Sequence, residues 1–141
     1  MHMMTSVKKS QIGRTPASER ATLFVGQEHG RLFRAMASLE RRDITELARL
    51  MLDARAQSAG LSPVAPSLPA PQLGEEARAR VKEILESDEG NDRLSLSLGS
   101  DYIELLAQMA KLERRNKSAL VRLMIDERAQ AMGLEPAEVV L

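Results

Sequence analysis

The stretch "DRLSLSLG", Asp92 to Gly99, has a strict beat: Leu94, Leu96 and Leu98 alternate with Arg93, Ser95 and Ser97. A period of two puts the leucines on one face and the polar residues on the other, the pattern of a half-buried β-strand. A lone strand leaves its backbone N–H and C=O groups without partners. Almost everything else in the chain repeats at helical spacing, so a second strand has to be found.

An internal repeat supplies it. A shift of 73 positions, which carries Gly60 onto Gly133, lays residues 22–63 on 95–136 without a gap and with 20 identities in 42 pairs. The clearest block sets "LERRDITELARLMLDARAQSAGLSP" (39–63) on "LERRNKSALVRLMIDERAQAMGLEP" (112–136). The same shift sets "RATLFVG", Arg20 to Gly26, on "RLSLSLG", Arg93 to Gly99. In the first of these, Ala21, Leu23 and Val25 alternate with Arg20, Thr22 and Phe24.

Each copy reads as strand, helix, helix. Leu32, Phe33, Met36, Ala37 and Leu39 recur at helical spacing, and so do Leu105, Leu106, Met109, Ala110 and Leu112. Ser100 or Asp101 can cap the start of the second of these helices. The polar turns "ERRD" and "ERRN" follow. Asp43 with Glu46 three residues on is a capping-box arrangement, and Asn116 is the counterpart of Asp43. Leu47, Leu50, Met51 and Ala54 then form an apolar stripe matched by Leu120, Leu123, Met124 and Ile125, and Gly60 and Gly133 stop the two helices. About forty residues bury too little to close a core. The two copies are therefore expected to share one, with their strands paired antiparallel.

This sets the organisation. A basic arm with Lys8, Lys9 and Arg14 occupies 1–18, the first repeat 19–61, a Pro-rich extended linker 62–74, and the second repeat 92–135. An amphipathic helix over 75–88, with Val81, Ile84 and Leu85 on one side, has no counterpart in the first copy. It is expected to pack on the outside of the shared core.

Composition narrows the class. Of 141 residues 43% are hydrophobic and 28% charged, ordinary for a soluble globular chain, while the 2% of aromatics leaves the core to Leu, Met, Ala, Ile and Val. The absence of Cys excludes disulfides and thiolate metal sites. No stretch approaches the roughly 20 apolar residues of a membrane helix, and the start lacks the apolar run of a signal peptide, so a cytoplasmic protein with no membrane partner is expected. Lys and Arg, 20 together, balance 20 Asp and Glu, so any basic surface has to come from local placement.

Catalytic chemistry finds no foothold. His2 and His29 lack companions at metal-ligand spacing. Asp53 and Asp126, in "LMLDARA" and "LMIDERA", read as helix-surface carboxylates, and Arg49 and Arg122 as solvent-facing or paired with nearby acids. Met36, Met51, Met109 and Met124 read as core. With no Gly-rich phosphate loop, Ser/His/Asp set or acid pair, neither an enzyme nor a cofactor is expected.

Two strands seated by their leucines on four helices leave one face bare. It carries Arg20, Thr22, Phe24, Arg93, Ser95 and Ser97. The DNA major groove admits a two-stranded ribbon, and its base edges offer acceptors to Arg, mixed partners to Ser and Thr, and a thymine methyl to Phe24. At these residues the chain resembles the ribbon-helix-helix superfamily, the fold of the MetJ and Arc repressors. "DRLSLSLG" resembles the family's strand and "NKSALVRLMIDERA" its second helix. The resemblance covers most of 19–61 and 92–134, and two halves on one chain are similar to tandem members such as TraY and other accessory proteins of plasmid conjugation and T-DNA transfer.

The resemblance implies a fold mainly α with one two-stranded antiparallel β-ribbon, a tandem ribbon-helix-helix forming an intramolecular pseudo-dimer. It implies base contacts from Arg20, Thr22, Phe24, Arg93, Ser95 and Ser97. Phosphate contacts would come from the second-helix starts, Asp43 to Thr45 and Asn116 to Ser118, where the first backbone N–H groups lack intrahelical partners. Lys117 lies within one start, and Arg41, Arg42, Arg114 and Arg115 beside them read either as further phosphate contacts or as charges that simply solvate a turn. The partner is then double-stranded DNA, bound as a promoter repressor or as a mark on a plasmid or transfer origin. A second copy on adjacent sites, and a protein held through the arm or the linker, are further partners. Two rivals stay open: a helix-turn-helix reader with each second helix in the groove, and an antitoxin-like protein-binding module.

Overall fold

A computed structural model describes residues 19–66, 70–87 and 93–134. In chain order these form β1 (Ala21–Phe24), α1 (Gln27–Leu39), α2 (Ile44–Ser58), α3 (Glu75–Ser87), β2 (Arg93–Leu96), α4 (Ser100–Leu112) and α5 (Lys117–Ala131). The described chain is thus mainly helical with one two-stranded antiparallel sheet. The arm expected over 1–18 lies outside the described residues, as do residue 88 of the helix expected over 75–88, Asp92, and residue 135 at the end of the second repeat.

In the ladder Ala21 faces Leu96, Thr22 faces Ser95, Leu23 faces Leu94 and Phe24 faces Arg93. Thr22 and Ser95 correspond under the 73-residue shift, so the register is symmetric about that pair. Ala21, Leu23, Val25, Leu94, Leu96 and Leu98 are at most 9% exposed. Each buried leucine contributes roughly 2 kcal/mol. A slip of one residue would turn all six outward, which is what holds the register. Beneath the sheet the buried layer includes Phe33, Met36, Leu47, Leu106, Met109, Leu120 and Ile125. Met51 and Met124 are buried with them, as the stripes require.

Each strand turns into its helix at a glycine. Gly26 and Gly99 have φ of 90° and occupy the caps of α1 and α4, with no side-chain cap bond at either. A side chain at that φ is strained, so glycine takes the place. This corrects the capping role expected of Ser100 or Asp101: Ser100 is the first helical residue, and Asp101 sits in the first turn, where its charge favours the helix dipole.

The turns between helices repeat the same device with a different residue. Arg41 and Arg114 have φ of 57° and 56°. Around them Arg42 N–H bonds to Ala37 O and Arg115 N–H to Ala110 O, both at 2.9 Å, closing α1 and α4. A side chain in this left-handed region costs about 1 kcal/mol. The next helices start with side-chain caps: Asp43 accepts from Glu46 N–H at 2.8 Å and Asn116 from Ala119 N–H at 2.7 Å. Leu112 departs from the expected stripe; at the last position of α4 it is 58% exposed.

Helix α3 packs along α1, with Val81 buried and Ile84 and Leu85 half-buried against the core. A side chain of α1 also ties the two together, Arg31 Nη1 donating to Leu85 O at 3.2 Å. The linker is not a bare spacer. Ala70 and Leu73 pack on the core, and Leu73 N–H bonds to Met132 O at 3.2 Å.

The two strand-helix-helix segments touch reciprocally. Tyr102 donates its hydroxyl to Asp53 Oδ2 at 2.7 Å, and at the corresponding positions His29 Nε2 lies 2.9 Å from Asp126 Oδ2. Arg55 pairs with Glu113, and Arg128 with Glu40. Contacts of this i-to-j, j-to-i form are those of a two-fold interface. They correct the reading of Asp53 as a surface carboxylate. It is 2% exposed, and besides Tyr102 it accepts from Val64 N–H at 2.8 Å and Ala65 N–H at 3.2 Å. A carboxylate that deep needs donors, and the linker and the other segment provide them. Asp126 is half-buried against His29, so it too faces inward.

Candidate nucleic-acid interface

The outer face of the ribbon presents Arg20, Thr22, Phe24, Arg93 and Ser95 exposed, with Ser97 half-buried. Phe24 is 59% exposed, and the Arg93 guanidinium lies over its ring, 5.9 Å from the centroid. Under the repeat shift this pair corresponds to Ser97 and Arg20. Both ends of the face therefore carry an arginine, and one end carries an aromatic ring.

Side chains of the second helices reach the two ends of the ribbon. At one end Ser118 Oγ accepts from Phe24 N–H at 3.0 Å, and Arg122 Nη1 donates to Phe24 O at 3.4 Å. At the other, Arg49 donates from Nη2 to Ser97 O at 2.8 Å and from Nε to Leu98 O at 3.1 Å, with its guanidinium 5.7 Å from the Tyr102 ring centre. This revises Arg49 and Arg122, which turn to backbone carbonyls of the strands. A ribbon of four residues a side leaves polar groups just past its ends, and these two side chains supply donors to them. Their identity in both copies was the available signal.

A groove runs between β1 and the start of α5, lined by Thr22, Phe24, Arg115, Asn116, Lys117 and Ser118 with Arg122 behind. The first intrahelical bond of α5 is Leu120 N–H to Asn116 O, and Asn116 takes Ala119 N–H. The N–H groups of Lys117 and Ser118 precede that bond at the positive end of the helix dipole. Thus Arg115, Asn116, Lys117 and Ser118 gather beside Thr22 and Phe24, and Arg114 is exposed on the preceding turn.

The corresponding start of α2 is less positive. Asp43 replaces Asn116 and Ile44 replaces Lys117. Arg42 lies 3.3 Å from Glu40 and 3.9 Å from Glu46. Arg41 is exposed and Thr45 half-buried there. The perturbed titrating groups lie elsewhere, between the repeats. The Arg55 hydrogen bond holds the Glu113 carboxyl below the usual range, and burial pushes Tyr102 up to about 12, helped by its bond to Asp53.

Among the described residues no group of three or more His, Cys, Asp or Glu side chains is placed to hold a metal, and no helix is long and apolar enough to cross a membrane. No curated protein and no solved structure matches the chain. Residues 92–130, which take in β2, α4 and nearly all of α5, match the family model of the ribbon-helix-helix protein, copG family, and it is to this family that the second strand-helix-helix segment is similar.

Proposed function

We propose that the chain binds double-stranded DNA as a tandem ribbon-helix-helix protein, its repeats at 19–61 and 92–135 forming a pseudo-dimer that lays the β1–β2 ribbon in the major groove. The observation that carries the reading is the ribbon itself, sealed by its apolar residues on one face and presenting arginines, hydroxyls and one ring on the other. The match of 92–130 to a family of this architecture supports it. A groove about 12 Å wide accepts such a ribbon.

In this arrangement Arg20, Thr22, Phe24, Arg93, Ser95 and Ser97 meet base edges. Arg41, Arg42 and Thr45 on one side, and Arg114, Arg115, Asn116, Lys117 and Ser118 on the other, meet phosphates. The free N–H groups at the start of α5 suit a phosphate oxygen, and the arginines around them add charge. Phosphate contacts set register and a salt-dependent affinity; the ribbon sets sequence preference. A chain that reads duplex DNA in this way serves as a repressor of a promoter or as an accessory protein at a plasmid or DNA-transfer origin.

The test is selection of duplexes from a random pool by the full chain, then titration of the selected site against a scrambled one. Enrichment of one site, with its preference lost in Arg20→Ala and Arg93→Ala, is the expected result. A pool that stays unenriched, or a preference untouched by both substitutions, overturns the proposal.

A further inference from the structure

Resting on the DNA reading above, we infer that Phe24 and Arg93 act as one reader of a guanine next to a 5-methylated pyrimidine, and that this requirement exists in only one half of the bound site. Phe24 and Arg93 are cross-strand partners on the outer face, and the guanidinium lies over the ring at 5.9 Å. At that distance the guanidinium and the ring occupy adjoining positions on the outer face, so a fork turned to the paired acceptors O6 and N7 of guanine brings the ring to the edge of the neighbouring base. The ring itself has no donor or acceptor. The one apolar group a base edge shows in the major groove is the C5 methyl of thymine, and 5-methylcytosine shows the same group.

The backbone that carries the ring is held in place. Phe24 N–H donates to Ser118 Oγ and its carbonyl accepts from Arg122, so both sides of that backbone are tied to α5. A 59% exposed ring on a fixed backbone is a feature that gains by burial against a ligand. The molecule contains its own control. About the central pair Thr22 and Ser95, the positions corresponding to Phe24 and Arg93 are Ser97 and Arg20. That end keeps the arginine and replaces the ring with a hydroxyl, so it reads its guanine without regard to a neighbouring methyl.

The experiment uses the full chain and its selected duplex. Each thymine is replaced singly by deoxyuridine, which removes only the methyl, and at any sensitive position a cytosine or 5-methylcytosine pair is then introduced. One thymine beside a guanine, in one half-site, is expected to lose about fourfold in affinity on loss of its methyl, the value of one buried CH₂-sized group. At that position 5-methylcytosine binds better than cytosine by a similar factor, and Phe24→Ser abolishes both differences while unfolding like the parent chain. A selected site that is bound but insensitive to every uridine overturns the inference and leaves the DNA reading standing. So do equal losses in both half-sites. Failure to select any site overturns the DNA reading itself and the inference with it.

Discussion

Arg128 donates to both oxygens of Glu40, from Nε at 2.8 Å and from Nη2 at 2.6 Å, and at the corresponding positions Arg55 forks onto Glu113. Each arginine comes from a second helix and each glutamate from the turn of the other segment. The pairs are therefore cross-links between the two segments. Their surroundings differ: the Glu40 side chain is 3% exposed and that of Glu113 20%.

Arg128→Ala leaves a buried carboxylate with Arg42 beside it at 3.3 Å. Stripping one partner from a buried pair costs about 3 kcal/mol. At Arg55→Ala the abandoned Glu113 reaches more water and keeps Arg115 at 3.5 Å, so the loss is about 1 kcal/mol. Urea unfolding of both variants checks the order; equal losses would refute it.

Tyr102 is the only tyrosine and the chain has no tryptophan, so ultraviolet titration reports this phenol alone. Its midpoint is expected near 12 rather than the ordinary 10.0, because burial and the bond to Asp53 oppose ionisation. A raised pKa stabilises the fold fully below the ordinary value, and that contribution is lost as pH climbs from 10.0 toward 12. Asp53→Asn moves the midpoint down. Glu113 has the opposite sign: its lowered pKa favours the fold above the usual glutamate range and the benefit fades in acid.

Arg114 holds a φ of 56° at a position proposed to face phosphate. Arg114→Gly relieves that backbone strain and raises stability by up to about 1 kcal/mol. The same change removes a cation, so binding to any duplex weakens and the slope of log affinity against log salt shrinks by about one. Thermal unfolding and a salt series measure the two effects; a loss of stability, or an unaltered slope, contradicts the account.

Arg93→Ala separates sequence reading from charge. Loss of a forked guanine contact costs about 1 to 3 kcal/mol at the preferred site and much less at a scrambled one, so discrimination flattens. Lys117→Ala weakens both duplexes alike. Parallel titrations of the two variants on the two duplexes decide this.

The ribbon and the helices were legible because their signals are local or repeated: the leucine beat of Leu94, Leu96 and Leu98, and the stripes recurring at one shift. The cross-links were not. Tyr102 meets Asp53 and His29 meets Asp126 across 49 and 97 residues, and corresponding positions that differ in chemistry give no hint of a common partner. Helical spacing placed Arg49 and Arg122 on a surface, but could not show that strand carbonyls arrive at that surface. Gly99 displaced Ser100 and Asp101 from the cap because backbone φ, which no side-chain pattern encodes, decided the turn.

Both strands of the sheet belong to one polypeptide. Where two separate chains must meet to complete a ladder, dilution dissolves the structure, and its melting point follows concentration. A ladder closed within one chain escapes that dependence. It also lets a mutation alter one edge of the surface without copying itself to the other, a freedom closed to any molecule assembled from identical subunits.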